Sequence, residues 1–293
     1  MVIARVIADS DGLSARVEAL RATLRSQGRD SAARVLENGP AALLELESDA
    51  GADALRSAIE AHLGQTDALI GAGVPQLPAL FVSDMDSTMI SAECIDELAD
   101  FANLKPQIAA ITERAMQGEL DFRAALAERV ALLKGLSEGA IARCLAERIH
   151  PMQGARTLVQ TLKAKGSRTV LVTGGFHQFA DPVAEALGFE RVVGNRLGVE
   201  GGVLTGGLVG PISDSATKKA TLLEELAALG EGAHTLATGD GANDIPMMEA
   251  ATYGIAFAAK PKARAAANGW IDRGDLTAVL RLLGVGESEW VKG

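Results

Sequence analysis

Three short apolar runs, Ala79–Ser83, Arg168–Val172 and His234–Thr238, each lead into small, hydroxyl or acidic residues, and stretches of helical spacing separate them. Short apolar strands alternating with helices predict a parallel sheet covered on both faces, with ligands bound outside the carboxyl ends of the strands. The residues that follow those ends are therefore the first place to look for chemistry. Between the first two runs, Ala92–Arg148 is helical throughout and too long for a simple crossover, so it reads as a helical cap over the site, at about residues 92–150. Arg196–Pro211 has the pattern of a Gly-rich hairpin. The expected class is α/β: a Rossmann-like core, a parallel sheet with helices on both faces, interrupted by a helical cap.

The first quarter of the chain has a different rhythm. Val2–Ala8 reads as a strand, Gly12–Arg25 carries Leu13, Val17, Leu20 and Leu24 at helical spacing, and Ala32–Leu36 and Ala41–Leu46 flank an Asn-Gly turn. A second helix, Ala52–Leu63, and a short run, Ala68–Ile70, complete a βαββαβ order, the pattern of a ferredoxin-like α+β unit. Gly71–Pro78, rich in Gly and Pro, reads as a linker. This divides the 293 residues into 1–76 and 77–293, in keeping with about 100–200 residues per domain. By its pattern the N-terminal unit resembles the ACT-like regulatory domains that bind amino acids at subunit interfaces. Two readings of it stay open: an amino-acid sensor with a free amino acid as effector, and a surface for packing or a homodimer.

Charge and composition exclude several partners. A formal net charge of −10 repels a phosphate backbone, and aromatics at 3% offer few stacking platforms, so no nucleic acid is expected. The longest uncharged stretch, Ala68–Ser83, is broken by Pro75 and Pro78 and falls short of the roughly 20 apolar residues of a membrane helix, so no membrane partner is expected. Arg5 and Asp9 interrupt the N-terminal apolar run before a secretory signal can form, and Cys94 and Cys144 stand apart without a metal or disulfide spacing. The expected location is cytoplasmic and the expected partner a small-molecule substrate.

Four segments carry candidate chemistry. Asp84-Met85-Asp86-Ser87-Thr88 places two carboxylates two apart at a strand end, which suits a metal or an acid/base pair, and suits equally a solvated loop or a nucleotide-sugar metal clamp. Thr173-Gly174-Gly175 brings a hydroxyl and bare backbone N–H groups within reach of an anion. Lys218-Lys219 falls in the first turn of a helix over about Thr217–Leu229, where the macrodipole disfavours cations, so either an anion compensates or the pair is solvated. Gly239-Asp240-Gly241-Ala242-Asn243-Asp244 delivers two acids and an amide before Pro246 opens the next helix. Each segment alone is an ordinary turn. Four of them at successive strand ends and loops, in this order, are hard to dismiss as independent.

The combination closely resembles the haloacid dehalogenase-like superfamily over Ala79 to about Leu283, and the forms DMDST, ISAECIDELA, MQGELDFRAALAERVALLKGL, TGGF and GDGANDIPMM are similar to its members that act on phosphoserine. The resemblance implies hydrolysis of O-phospho-L-serine to L-serine and phosphate, the last step of serine biosynthesis. It makes Asp84 the nucleophile that forms an aspartyl-phosphate and Asp86 the general acid/base. Thr173, Gly174, Lys218 and Asn243 contact the phosphoryl group or substrate, and Asp84, Asp86 through its carbonyl, and Asp240 hold Mg2+, with Asp244 in support. Glu93 and Arg129 match the positions for the substrate ammonium and carboxylate, and Met116 and Phe122 match apolar cap residues. Thr173 departs from the more frequent serine, and the hydroxyl remains. An alternative on the same fold is a phosphotransferase or a phosphatase for another small phosphorylated alcohol such as phosphohomoserine. A catalytically silent sensor is disfavoured by the intact acids and lysine.

Overall fold

The computed structural model describes residues 1–116, 119–230 and 232–292. Its N-terminal part runs β1 (Val2–Asp9), α1 (Leu13–Ser26), β2 (Ser31–Glu37), β3 (Ala41–Ser48), α2 (Ala52–His62) and β4 (Asp67–Gly71). Alternation in β1 sends Ala4, Val6 and Ala8 into a core with Leu20 and Leu24 of α1 and Leu55 and Ile59 of α2. The strands pair antiparallel in the order β2-β3-β1-β4, the ferredoxin-like arrangement expected from the βαββαβ order.

The remainder begins with β5 (Leu80–Ser83) and continues through the helices α3 (Cys94–Phe101), α4 (Lys105–Met116), α5 (Phe122–Leu132) and α6 (Glu138–Arg148). Local signals set several of their starts: the Asp121 side chain accepts from the Ala124 N–H at 2.8 Å to cap α5, and Ser137 accepts from the Gly139 N–H at 3.2 Å to cap α6. Then come α7 (Ala155–Ala164), β6 (Arg168–Phe176), α8 (His177–Leu187), β7 (Arg191–Asn195), the hairpin β8 (Leu197–Glu200) and β9 (Val203–Leu208), and α9 (Ser215–Leu229). The chain closes with β10 (Thr235–Gly239), α10 (Ile245–Ala250), β11 (Tyr253–Phe257), α11 (Pro261–Ala266), β12 (Gly269–Ile271) and α12 (Thr277–Leu283). The strand order β12-β11-β10-β5-β6-β7 is parallel throughout, and β5, β10 and β11 are buried along their whole length, as strands covered on both faces must be.

Two features go beyond the sequence reading. Strand β6 extends past Val172 to Phe176, with an irregular register between those residues, so the Gly-Gly turn is a bulge within the sheet. And the sheet does not stop at Gly71–Pro78: β4 pairs antiparallel with β12, making one ten-stranded sheet of both halves. The buried Asp67 carboxylate reinforces that joint by accepting from the backbone N–H groups of Asp272, Arg273 and Gly274. Among the described residues, no helix is long and apolar enough to cross a membrane.

Candidate active site

The strand ends deliver the acids. Asp84 follows β5, its N–H bonded to the Thr238 carbonyl of β10 at 3.0 Å, and Asp240 follows β10 directly. Asp244 lies one turn further on and returns to accept from the Gly241 N–H at 3.0 Å. Gly239 is required here, because a Cβ at that position would overlap the Asp244 side chain. Asp84, Asp240 and Asp244, all buried, offer carboxylate oxygens within 4.8 Å of one another. Lys218 enters from the first turn of α9, which begins at Ser215, two residues earlier than the sequence pattern indicates, with Asp214 as its cap. Its Nζ lies 2.6 Å from Asp84 Oδ1 and 2.6 Å from Asp244 Oδ1. That is the anionic compensation a lysine at a helix start calls for; Lys219, its neighbour, is exposed.

Electrostatics follows from burial. Desolvation works against the charge on Lys218, yet Asp84 and Asp244 outweigh it and hold its pKa above the ordinary lysine value. Burial pushes the Asp84 carboxyl well above the usual carboxylate range, with Lys218 opposing and Asp244 adding to the rise. Burial likewise raises Asp240, against the pull of Lys260, whose Nζ is 3.4 Å from Asp240 Oδ2. Three buried carboxylates against one buried ammonium, Lys218 on Asp84 and Asp244, and the exposed Lys260 beside Asp240 are short of positive charge, and an all-oxygen donor set of this kind fits a hard divalent cation. The Asp86 carboxylate stands apart from this trio. It accepts from the Cys94 N–H at the start of α3 (3.3 Å), and burial, with Glu93 next, pushes it up to about 7. Gly175 makes the room: a Cβ there would sit 3.0 Å from Asp86 Oδ2 and 3.1 Å from Thr173 Oγ1.

The bulge in β6 presents Thr173, whose Oγ1 accepts from the Gly175 N–H at 2.8 Å. Its methyl group lies over Gly194, where a Cβ would come to 3.1 Å from Thr173 Cγ2, so the extra carbon relative to serine is accommodated by a glycine. From the cap, Glu93 receives a hydrogen bond from Ser87 Oγ at 2.8 Å, and burial raises its carboxyl. Arg129 of α5 donates to the Ala125 carbonyl at 3.3 Å; burial lowers its pKa while Asp96 and Glu93 oppose. Asp84, Asp86, Glu93, Arg129, Thr173, Gly174, Asp240 and Asn243 all line one cavity of about 280 Å³, near the low end of ligand pockets (~300–1,000 Å³), and Lys218 joins them through Asp84. Phe122 also lines it, whereas the Met116 side chain lies outside the described residues. His177 opens α8 and is bonded to Asp181 at 2.7 Å, off the cavity wall. The sequence reading missed Lys260, which lines the cavity, and Asn195 and Ser213 behind it; an asparagine before a Gly-rich hairpin looks like any turn residue.

Acids at the ends of β5 and β10, a hydroxyl-glycine bulge within β6 and a lysine from the first turn of α9 define the class. Residues 81–249 match the haloacid dehalogenase-like hydrolase family, and the chain belongs to that family. The phosphoserine phosphatase of Albidiferax ferrireducens is 46% identical over 209 residues, covering 69% of this chain and 88% of that one. In structure the chain is similar to a HAD family hydrolase of Salmonella enterica serovar Typhi (TM-score 0.83, 30% identity, 97% of this chain and 99% of the other). It is also similar to a probable phosphoserine phosphatase of Vibrio cholerae in unliganded form (TM-score 0.76, 32% identity, 98% and 88%). The span of both structural matches takes in the N-terminal antiparallel part.

Proposed function

We propose that the protein hydrolyses O-phospho-L-serine to L-serine and phosphate in a magnesium-dependent reaction. The observation that carries this reading is the position of Lys218, bridging Asp84 and Asp244 at 2.6 Å each beneath a small cavity that Glu93 and Arg129 line from the cap. Asp84, Asp240 and Asp244, with the Asp86 carbonyl, would hold the ion, which supplies positive charge against the phosphoryl oxygens when bound.

Lys218 occupies Asp84 Oδ1, which leaves the other carboxylate oxygen to attack phosphorus. The Thr173 hydroxyl, the Gly174 backbone and Lys218 bear the equatorial charge that grows during transfer. Asp86, with a pKa of about 7, is suited to give a proton to the departing serine oxygen as the Asp84–phosphate bond forms. It then takes one back from the water that hydrolyses the aspartyl-phosphate. Arg129 is suited to the amino-acid carboxylate and Glu93 to its ammonium, and the apolar faces of Phe122 and Leu126 limit water at the site. The support from relatives is that the protein at 46% identity is a phosphoserine phosphatase.

The test is phosphate release from a panel of phosphorylated amino acids and sugar phosphates with magnesium, then with a chelator. Phosphoserine should be the best substrate and the chelator should abolish release. Faster turnover of a sugar phosphate, or phosphate release from phosphoserine that is indifferent to chelation, would overturn the reading.

A further inference from the structure

Asn195 is the last residue of β7, 1% exposed and outside the cavity wall. Its amide is fully engaged. Nδ2 donates to the Gly174 carbonyl at 2.8 Å and the Ser213 carbonyl at 3.2 Å, and Oδ1 accepts from the Ser213 N–H at 2.8 Å. Only this orientation of the amide satisfies all three partners, since two are carbonyls and one is a donor. Ser213 Oγ in turn donates to the Thr173 carbonyl at 2.8 Å. Asn195 and Ser213 thus tie the Thr173–Gly175 turn to the loop that starts α9 and carries Lys218.

The ties act on individual peptide planes. The plane between Gly174 and Gly175 is held at its carbonyl by Asn195 and at its N–H by Thr173 Oγ1. The plane between Thr173 and Gly174 is held at its carbonyl by Ser213 Oγ, and because a trans peptide sets N–H and C=O on opposite sides, the Gly174 N–H faces away from that loop. We infer that Asn195 is a positioning residue for phosphoryl transfer, fixing the Thr173–Gly175 turn and the approach to Lys218 as one unit so that their phosphoryl contacts arrive together. This rests on the reading of that turn as the phosphoryl cradle. The reaction needs such rigidity because a displacement of about 1 Å in a positioning group costs on the order of a hundredfold in rate.

Asn195→Asp keeps the shape and removes both donors. Calorimetry on the full chain with magnesium should then show inorganic phosphate binding weakened by about tenfold or more, since two buried hydrogen bonds are lost. The inhibition constant of L-serine, whose carboxylate and ammonium that reading gives to Arg129 and Glu93 and not to the Thr173–Gly175 turn, should stay within about twofold, a split that general loss of folded protein does not produce. Ser213→Ala, which removes one bond and leaves Asn195 in place, should show the same split at smaller size, and it carries the test if Asn195→Asp does not fold. Unchanged phosphate affinity in a folded variant, or equal weakening of phosphate and serine, would overturn the role. Absence of phosphoserine turnover by the wild-type chain would instead remove the proposed function, and the phosphate titrations would still decide the role of Asn195.

Discussion

At the scale of single residues, the two carboxylates of the DMDST segment are separated in task by where their backbones place them. Asp84 is in the Lys218 and Asp244 cluster, while Asp86 is turned toward the start of α3 and sits at about 7. Asp86→Asn should therefore cost on the order of 10²–10⁴ in turnover of phosphoserine. For a p-nitrophenyl ester, whose leaving group needs no proton, the loss in the enzyme-phosphorylation step should be much smaller; rapid-quench kinetics on both substrates checks this, and equal losses would exclude proton donation by Asp86. Arg129→Ala should raise KM for phosphoserine about tenfold to a hundredfold more than for a phosphate ester without a carboxylate, as expected for loss of a charge-assisted hydrogen bond worth about 1.5–3 kcal/mol. Thr173 supplies a further case. Its methyl group needs the space that Gly194 leaves, so Gly194→Ala should overpack the site by about 1–3 kcal/mol and lower activity, and adding Thr173→Ser should recover most of both. A double-mutant cycle of melting temperature and kcat measures the coupling, and additive effects would mean that the two residues do not share that space.

At the scale of elements, the helix that carries Lys218 is fastened to the sheet by charge as well as by Leu222. Glu225 of α9 accepts from Arg191 of β7 at 2.6 Å and Arg168 of β6 at 3.2 Å. Burial pushes the Glu225 carboxyl up, but the hydrogen bonds from Arg191 and Arg168 prevail and hold it below its ordinary value. A depressed folded-state pKa stabilises above the unfolded value of about 4.3 and loses that contribution as pH falls through the folded pKa. Glu225→Gln should thus cost about 1 kcal/mol at pH 7, and urea midpoints of variant and wild type should converge below about pH 4. A gap that stays constant with pH would mean that Glu225 acts by packing alone. On the other side of the site, the hairpin supports the cap: the Gly135 N–H bonds to the Leu204 carbonyl, the Leu204 N–H to the Leu136 carbonyl and the Glu138 N–H to the Gly202 carbonyl. The Gly-rich pattern of that hairpin was legible in sequence, whereas its partner was not, because backbone bonds between segments some 65 residues apart leave no mark on side-chain type.

At the scale of the whole molecule, the β4–β12 pairing makes the N-terminal part a continuation of the core sheet. Trp270 of β12 is fully buried among N-terminal core residues, with the guanidinium groups of Arg56 and Arg264 over its ring at 4.6 and 4.1 Å. Arg5 of β1 reaches the Leu282 carbonyl of α12 at 3.1 Å. Every residue proposed for the chemistry lies from Asp84 onward, so a chain starting at Leu77 should retain phosphate release per folded molecule. It should also expose the β12 edge and Trp270, and hence melt at lower temperature and associate at concentrations where the full chain does not. Gel filtration with light scattering beside the phosphate assay checks both halves. A truncated chain as stable and dispersed as the parent would show that the shared sheet contributes little, and a folded but inactive one would show that the N-terminal part helps to shape the site.

The sequence by itself determined the alternation of strands and helices, the ferredoxin-like order of the first part, and the strand-end positions of Asp84 and Asp240, whereas it ended the strand before Thr173 and missed the bulge that continues β6 to Phe176. The features it determined are local properties, since apolar periodicity and turn chemistry are written into neighbouring residues. Which carboxylate meets Lys218, where the amide of Asn195 points and whether the sheet ends at Gly71 were decided only in three dimensions. Lys218 and Asp244 are 26 positions apart, Asn195 and Gly174 21, and β4 and β12 about 200. Such pairings depend on how the sheet stacks its strands, because a buried polar group takes whatever partner the packing brings within about 3 Å and pays heavily for having none.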